Sequence, residues 1–345
     1  MKSSELEQKI IGHAVSVRAS DIHVEPRDGW WEIRLRIHGI LVHFMRLDVE
    51  EGGALVQRLK VKGKMNISEK RLPQDGSYTF QTEDGSSYDL RLSTLPTIEG
   101  EKVSLRILYR EPEYSQMDQL GFSPLDLQEV LSWLKDPMGL ILITGPTGSG
   151  KTTTLYAMLQ TLNTGRYNIC TIEDPIEFRI EGVNQVQVNE EAGLTFSQGL
   201  RSLLRQDPDV IIIGEIRDRE TADMAIRASL TGHLVLATLH TLDAATAITR
   251  LLEMGIEPYL VTTAVKGVIS QCMHSIPCPH CNGVGCRHCG NMGFSHRTPT
   301  FEVLRIHEEL SLYILEKRPA NEIRRASKGM ISTQMELHYG GIYHS

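Results

Sequence analysis

The stretch Gly145-Pro146-Thr147-Gly148-Ser149-Gly150-Lys151-Thr152 carries glycines, a lysine and a threonine at the G-x-x-x-x-G-K-[ST] spacing. Those residue types in that order can hold the phosphates of a nucleoside triphosphate. The glycines let backbone N–H groups turn towards a β-phosphate, and a helix N-terminus behind them adds positive potential. Lys151 is expected to reach the β- and γ-phosphates and the Thr152 hydroxyl to ligate Mg²⁺, with Thr153 beside it in the same cradle. Both flanks agree: the apolar run 140–144 reads as a strand and 153–158 as the start of a helix. A glycine-rich turn without a ligand would need neither. ATP and Mg²⁺ are therefore the expected ligands, since the Asn-Lys-x-Asp pattern that reads guanine does not occur.

A second apolar run, 210–213, ends in Gly214-Glu215. A carboxylate at such a strand tip can orient and activate the attacking water. Gly214 stands where an aspartate usually precedes it, so Mg²⁺ must lean on Thr152, the phosphates, water and carboxylates from elsewhere. The segment Thr171-Ile172-Glu173-Asp174-Pro175-Ile176-Glu177, which also ends an apolar run, can supply them. Glu173 admits two readings, a capping or surface acid and a carboxylate on the ligand side of the sheet; its place at a strand tip favours the second. His233 and His240 frame the run 234–239. Each is either a structural histidine or, for His240 at the tip, a sensor of the γ-phosphate.

A third constellation is Cys278-Pro279-His280-Cys281 followed by Cys286-Arg287-His288-Cys289, a C-x2-C-x4-C-x2-C pattern. Each pair makes a tight turn that presents two thiolates to one tetrahedral ion, and Gly283 and Gly285 let the loop fold back. Four thiolates with no open position predict a closed, structural Zn²⁺ site. His280 and His288 are substitutes the site does not need. Cys170 reads as a buried apolar residue of a strand, and Cys272 as a bystander.

The elements that must position these groups are legible in the same way. Residues 1–108 read as a small α/β domain: Trp31, Ile33, Leu35 and Ile37 alternate with polar residues, as do Val103, Leu105 and Ile107. Asp28-Gly29 and Asp84-Gly85 are hairpin turns, and 52–62 is helical. Residues 109–122 read as a linker. From 123 to 271, apolar strands (140–144, 169–172, 210–213, 234–239) alternate with helical stretches, the texture of a mostly parallel sheet covered on both faces. A zinc-binding module over 272–300 and a helical segment over 301–345 complete the chain. No apolar run approaches the ~18 residues of a membrane span, and the start has no signal-peptide core, so a cytoplasmic location is expected. The net charge of −7 argues against a dedicated nucleic-acid binder, whose affinity would rest on phosphate contacts.

Taken together, these motifs resemble the type II secretion and type IV pilus assembly ATPase family over nearly the whole chain. The resemblance is carried by the phosphate loop, the segment 171–178, Arg205-Gln206-Asp207-Pro208-Asp209 through Gly214-Glu215-Ile216-Arg217-Asp218, and Thr231 to Thr241 with its two histidines. Ala19-Ser20-Asp21-Ile22-His23-Val24-Glu25-Pro26 and Arg71-Leu72-Pro73-Gln74-Asp75-Gly76 match it in the first domain. It implies a RecA-like ATPase domain, a homo-hexameric ring with ATP between the two domains, and an inner-membrane platform protein as partner at the cytoplasmic face. It further implies that Arg91 and Arg106 close over the triphosphate. Their spacing fits, because each lies between two apolar residues and so sits on a strand's polar face; the alternative is solvated strand-face arginines.

The sequence departs from the family at His38, where aspartate is usual, and at Gln271-Cys272-Met273-His274, which lacks the usual arginines. Without the extra N-terminal domain of larger members, it looks most like the compact competence (DNA-uptake) ATPases of Gram-positive bacteria. A nucleic-acid translocase or helicase with a zinc finger is the competing reading. Against it stand the acidic balance and a module (278–297) whose only basic residues besides histidine are Arg287 and Arg297. No direct nucleic-acid contact is expected.

Overall fold

The structure, a computed structural model, describes residues 3–37, 39–109, 116–289 and 293–327. His38, part of the expected linker (110–115) and the tail 328–345 lie outside the described residues. The chain divides into two compact units, one of residues 1–110 with 277–296 and one of 111–276 with 297–345.

The first unit opens with helix α1 (Ser3–Ser16) and strands β1 (Asp21–Arg27), β2 (Trp30–Ile37) and β3 (Ile40–Leu47). Helix α2 (Val49–Lys62) and strands β4 (Gln74–Gln81), β5 (Ser87–Thr97) and β6 (Gly100–Leu108) follow. The strands form one antiparallel sheet in the order β3-β2-β1-β6-β5-β4. Period-two alternation decides its faces: Ile22, Val24, Ile33, Leu35, Leu90, Leu92, Val103 and Leu105 join one core with Leu6, Ile10, Leu55 and Leu59 of the helices. Asp21, His23, Glu25, Arg34, Arg36, Arg91 and Arg106 are left for the other face. Gly29, at φ 77°, supplies the left-handed residue of the β1–β2 turn. Asp48 caps α2 by accepting from Glu51 N at 2.7 Å.

The two family-like signatures of this unit hold its sheet together. On β1, Glu25 takes ion pairs from Arg27, Arg34 and Lys102. Burial works to raise its carboxyl, but Arg34 and Lys102 hold it down to about 2. At the start of β4, Gln74 donates to Asn66 O and Glu69 O and accepts from Asn66 N in the loop before it. A Cβ on Gly76 would stand 2.2 Å from Gly63 O, so only glycine fits there.

The second unit contains α3 (Pro124–Lys135), β7 (Gly139–Thr144), α4 (Lys151–Leu162), β8 (Ile169–Glu173) and β9 (Asn184–Gln187). Next come α5 (Phe196–Leu203), β10 (Val210–Ile213), α6 (Arg219–Leu230), β11 (Leu234–Leu239), α7 (Ala244–Glu253) and α8 (Pro258–Ala264). The long strands β12 (Val265–Pro277) and β13 (Phe294–Arg305) and helices α9 (Glu308–Leu315) and α10 (Ala320–Ala326) end the described chain. The sheet order is β13-β12-β7-β11-β10-β8-β9, and the pairs from β12 to β9 are parallel. Every residue of β7, β8, β10 and β11 is buried, as a sheet covered on both faces requires. Leu140, Leu142, Ile211 and Ile213 enter one core, while Ile141, Ile143, Val210 and Ile212 enter the other.

One expectation is corrected here. The segment 301–345 was expected to be helical, but it begins as the end of β13. Phe301 and Val303 alternate into the core, and Phe301 stacks on Phe122 with ring centroids 3.7 Å apart. Cross-strand burial outweighed a sequence that is also compatible with helix. Among the described residues, helices follow at α9 and α10.

Candidate active site

Parallel pairing places the C-terminal ends of β7, β10 and β11 on one edge of the sheet: Thr144 pairs with Leu239 and Ile213 with Ala237. Loop 145–150 leaves β7 at that edge and runs into α4. Gly145, Gly148 and Gly150 take φ values of 147°, 77° and 89°, a backbone that side-chain-bearing residues rarely adopt. The first helical bond of α4 is Thr154 N to Gly150 O at 3.1 Å. The N–H groups just before it have no intrahelical acceptor and are available to an anion. Lys151 Nζ folds back onto the loop, donating to Gly145 O at 2.8 Å and Pro146 O at 3.0 Å. Burial lowers its pKa while the charge of Glu215 nearby opposes the change. The Thr152 side chain is exposed.

Glu215, two residues beyond β10, is fixed from two sides. Arg217 pairs with one carboxylate oxygen, and His240 Nε2 lies 3.3 Å from the other. Arg217 also reaches Asp174 Oδ2 at 3.7 Å. Gly214 has a steric cause: a Cβ there would meet Glu173 Cα and Ile172 O at 3.2 Å, because β10 and β8 approach closely. His240 is held through its neighbours, since Thr144 Oγ1 accepts from Thr241 N at 2.9 Å and contacts Thr241 Oγ1 at 2.6 Å. His233 has a different role, with Nδ1 2.9 Å from Ala228 O beyond the end of α6.

The site residues expected from sequence thus separate into groups. Lys151, Glu215 and His240 come together, joined by Arg217 and Asp174. Glu173 is buried and accepts from Tyr156 Oη, from Thr171 Oγ1 at 2.5 Å and from Gln185 Nε2 at 3.2 Å. Burial and the Glu173 charge push the Tyr156 phenol well above its ordinary pKa, so it remains a donor. Sequence reasoning assigned no role to Arg217, Tyr156 or Gln271. Arg217 carries a weak signal in its place two residues after Glu215; Gln271 was marked only by the departure from the family over 271–274, and Tyr156 carries none.

In the first unit, Arg91 and Arg106 face each other directly across β5 and β6. Like charges so paired repel. Asp21, opposite both Arg106 and Arg36, offsets part of this, with Oδ1 3.0 Å from Arg106 Nε and Oδ2 3.7 Å from Arg36 Nε. Three arginines and one carboxylate thus lie in a single cross-strand row, with Asp21 paired to Arg36 and Arg106, leaving positive charge suited to an anion.

The four cysteines of the loop between β12 and β13 converge. All four Sγ atoms lie within 4.8 Å of one another. Cys278–Cys286, Cys281–Cys289 and Cys286–Cys289 are separated by 3.9, 3.8 and 3.8 Å. A tetrahedral ion with Zn–S bonds of about 2.3 Å requires edges of about 3.8 Å, so the set fits zinc. Backbone N–H groups of Gly285, Cys286 and Gly293 donate to the sulfurs at 3.2–3.3 Å, as partners of thiolates do. The His280 and His288 rings stack 4.2 Å apart. Cys170 is buried in β8, where burial pushes its thiol up.

A sequence profile of the family described as Type II/IV secretion system protein matches residues 3–339. The chain is 48% identical over 272 residues to type II secretion system protein E of Pseudomonas aeruginosa, covering 79% of this chain and 54% of that protein. It is 43% identical over 352 residues to the type IV pilus assembly ATPase PilB of Thermus thermophilus, covering 94% of this chain and 40% of that one. The chain thus spans about half the length of the curated relatives it matches. Among solved structures it resembles the pilus retraction motor PilT with bound ADP at 31% identity and a TM-score of 0.66, covering 94% and 88% of the two chains. The Legionella pneumophila ATPase DotB matches with a TM-score of 0.72 at 24% identity, covering 97% and 89%, a likeness of fold.

Proposed function

The chain belongs to the type II/IV secretion system protein family, and on that premise we propose that it hydrolyses ATP as a subunit of a hexameric ring motor. The work we assign to it is assembly of a pilus or pseudopilus, for DNA uptake, type IV pilus assembly or type II secretion. The observation that carries the reading is Glu215, held between Arg217 and His240 at the strand edge where the phosphate loop begins.

The residues divide the reaction as follows. Loop 145–150 and the start of α4 receive the phosphates with their N–H groups. Lys151 exchanges the Gly145 and Pro146 carbonyls for β- and γ-phosphate oxygens. The Thr152 hydroxyl would hold Mg²⁺, which would supply charge neutralisation to those phosphates. Water attacks the γ-phosphorus as its bond to the β–γ bridging oxygen breaks; ADP departs with that oxygen, and the water's proton passes to Glu215. Arg217 and His240 hold the Glu215 carboxylate for that step, and His240 reports on the γ-phosphate. Glu173 acts from within its network with Tyr156 and Thr171, supporting the strand tip.

Residues 1–108 supply Arg91 and Arg106 to the triphosphate of a neighbouring subunit, and Cys278, Cys281, Cys286 and Cys289 would hold a zinc ion that would lock their module. No described helix is long and apolar enough to cross a membrane. We place the ring at the cytoplasmic face of one, bound to a membrane-embedded platform protein. The direct test is steady-state hydrolysis. Glu215→Gln should bind MgATP with near wild-type affinity and turn over at least ~100-fold more slowly, whereas Lys151→Ala should lose binding. Wild-type turnover in Glu215→Gln would refute the assignment.

A further inference from the structure

Gln271 sits within β12, and its side chain is 3% exposed. It meets the phosphate loop at three points. Its Oε1 accepts from Thr154 Oγ1 at 2.7 Å, in the first turn of α4. Its backbone oxygen lies 2.2 Å from where a Cβ on Gly145 would stand, and its Nε2 lies 2.7 Å from the corresponding position on Gly150. A Cβ on Gly145 would collide with the β12 backbone and one on Gly150 would have to displace the Gln271 amide, which adds to what their own φ angles require. Ser149 Oγ, 2.6 Å from the same Gly145 position, is buried with no hydrogen-bond partner.

We propose that Gln271 is a positioning residue of the nucleotide site, holding Gly145, Gly150 and Thr154 at fixed spacing so that the loop's N–H groups are arranged for phosphate before a ligand arrives. The proposal rests on the ATP reading above. Preorganisation lowers the ordering cost of binding. ADP and ATP share the β-phosphate, so both should depend on Gln271, whereas the proton transfer to Glu215 should not. A residue that only stabilised the fold would lower the melting temperature without separating affinity from turnover.

The test is calorimetric titration of the full chain with MgADP, alongside ATP hydrolysis, for Gln271→Met, Thr154→Val and the double variant. Gln271→Met keeps the side chain's bulk and removes its hydrogen bond. It should raise the Kd for MgADP about tenfold and the KM for ATP to match, with kcat within about threefold of wild type. Thr154→Val should weaken binding less, and the double variant should bind no worse than Gln271→Met alone, because both act through one contact. Wild-type affinity in Gln271→Met, a fall in kcat with Kd unchanged, or full additivity in the double variant would overturn the proposal. Were Gln271→Met not to fold, Thr154→Val decides alone: an unchanged Kd would overturn it. Failure of the wild-type chain to bind MgADP would instead strike the ATP reading itself.

Discussion

Glu302 occupies a core position between Phe301 and Val303 on β13, where apolar neighbours surround an acid. Burial raises its carboxyl from an ordinary 4.5 to about 7; the nearby Asp243 adds to the rise, while the Ala244 N–H and Arg324 oppose it. The folded protein therefore keeps this proton at pH values where the unfolded chain has lost it. Stability falls as pH climbs from about 4.5 to 7, and the full cost, up to about 3 kcal/mol, is present above 7. Glu302→Gln should match wild type in urea unfolding near pH 5 and exceed it by about 1–3 kcal/mol at pH 8. A gap independent of pH would show that the carboxyl is not the cause. The phosphate loop was legible residue by residue, because phosphate geometry dictates its spacing. Gln271 was not, since its bond to Thr154 spans 117 positions and no local pattern announces it.

Strands β7, β8, β10 and β11 were legible as elements, because burial on both faces leaves an unbroken apolar run. The edge strand β13 was not, since half its length is polar and only pairing with β12 reveals it. The hydroxyl of Thr144 shows what links elements at the site: it joins β7 to the turn carrying His240. Thr144→Val would leave Thr241 N–H buried without an acceptor, which should cost about 1–3 kcal/mol in denaturant unfolding and lower kcat by displacing His240. Unchanged stability would mean the turn is held elsewhere. The loop between β12 and β13 makes a separate prediction. Purified protein should contain one zinc per chain by elemental analysis, and Cys281→Ser should lose most of it. Full zinc occupancy in that variant would exclude Cys281 as a ligand.

At the scale of the whole molecule, the central claim is that active sites are completed between subunits. A mixture of Lys151→Ala chains with Arg91→Ala chains should regain part of the activity that each lacks alone, because some interfaces then pair an intact phosphate loop with intact arginines. No rescue in verified mixed rings would assign Arg91 to its own chain's chemistry or to none. The sequence suggests this arrangement only through family likeness, since Arg91 and Arg106 look like any strand-face arginines; what the fold adds is that β5 and β6 set them side by side. The measurement that bears most directly on the claim is ATPase activity per subunit across a wide range of protein concentration, with Glu215→Gln as the blank. Specific activity that climbs with concentration while the blank stays flat is the predicted result. Constant, substantial specific activity down to the lowest dilution would contradict it, because each chain would then carry a whole site.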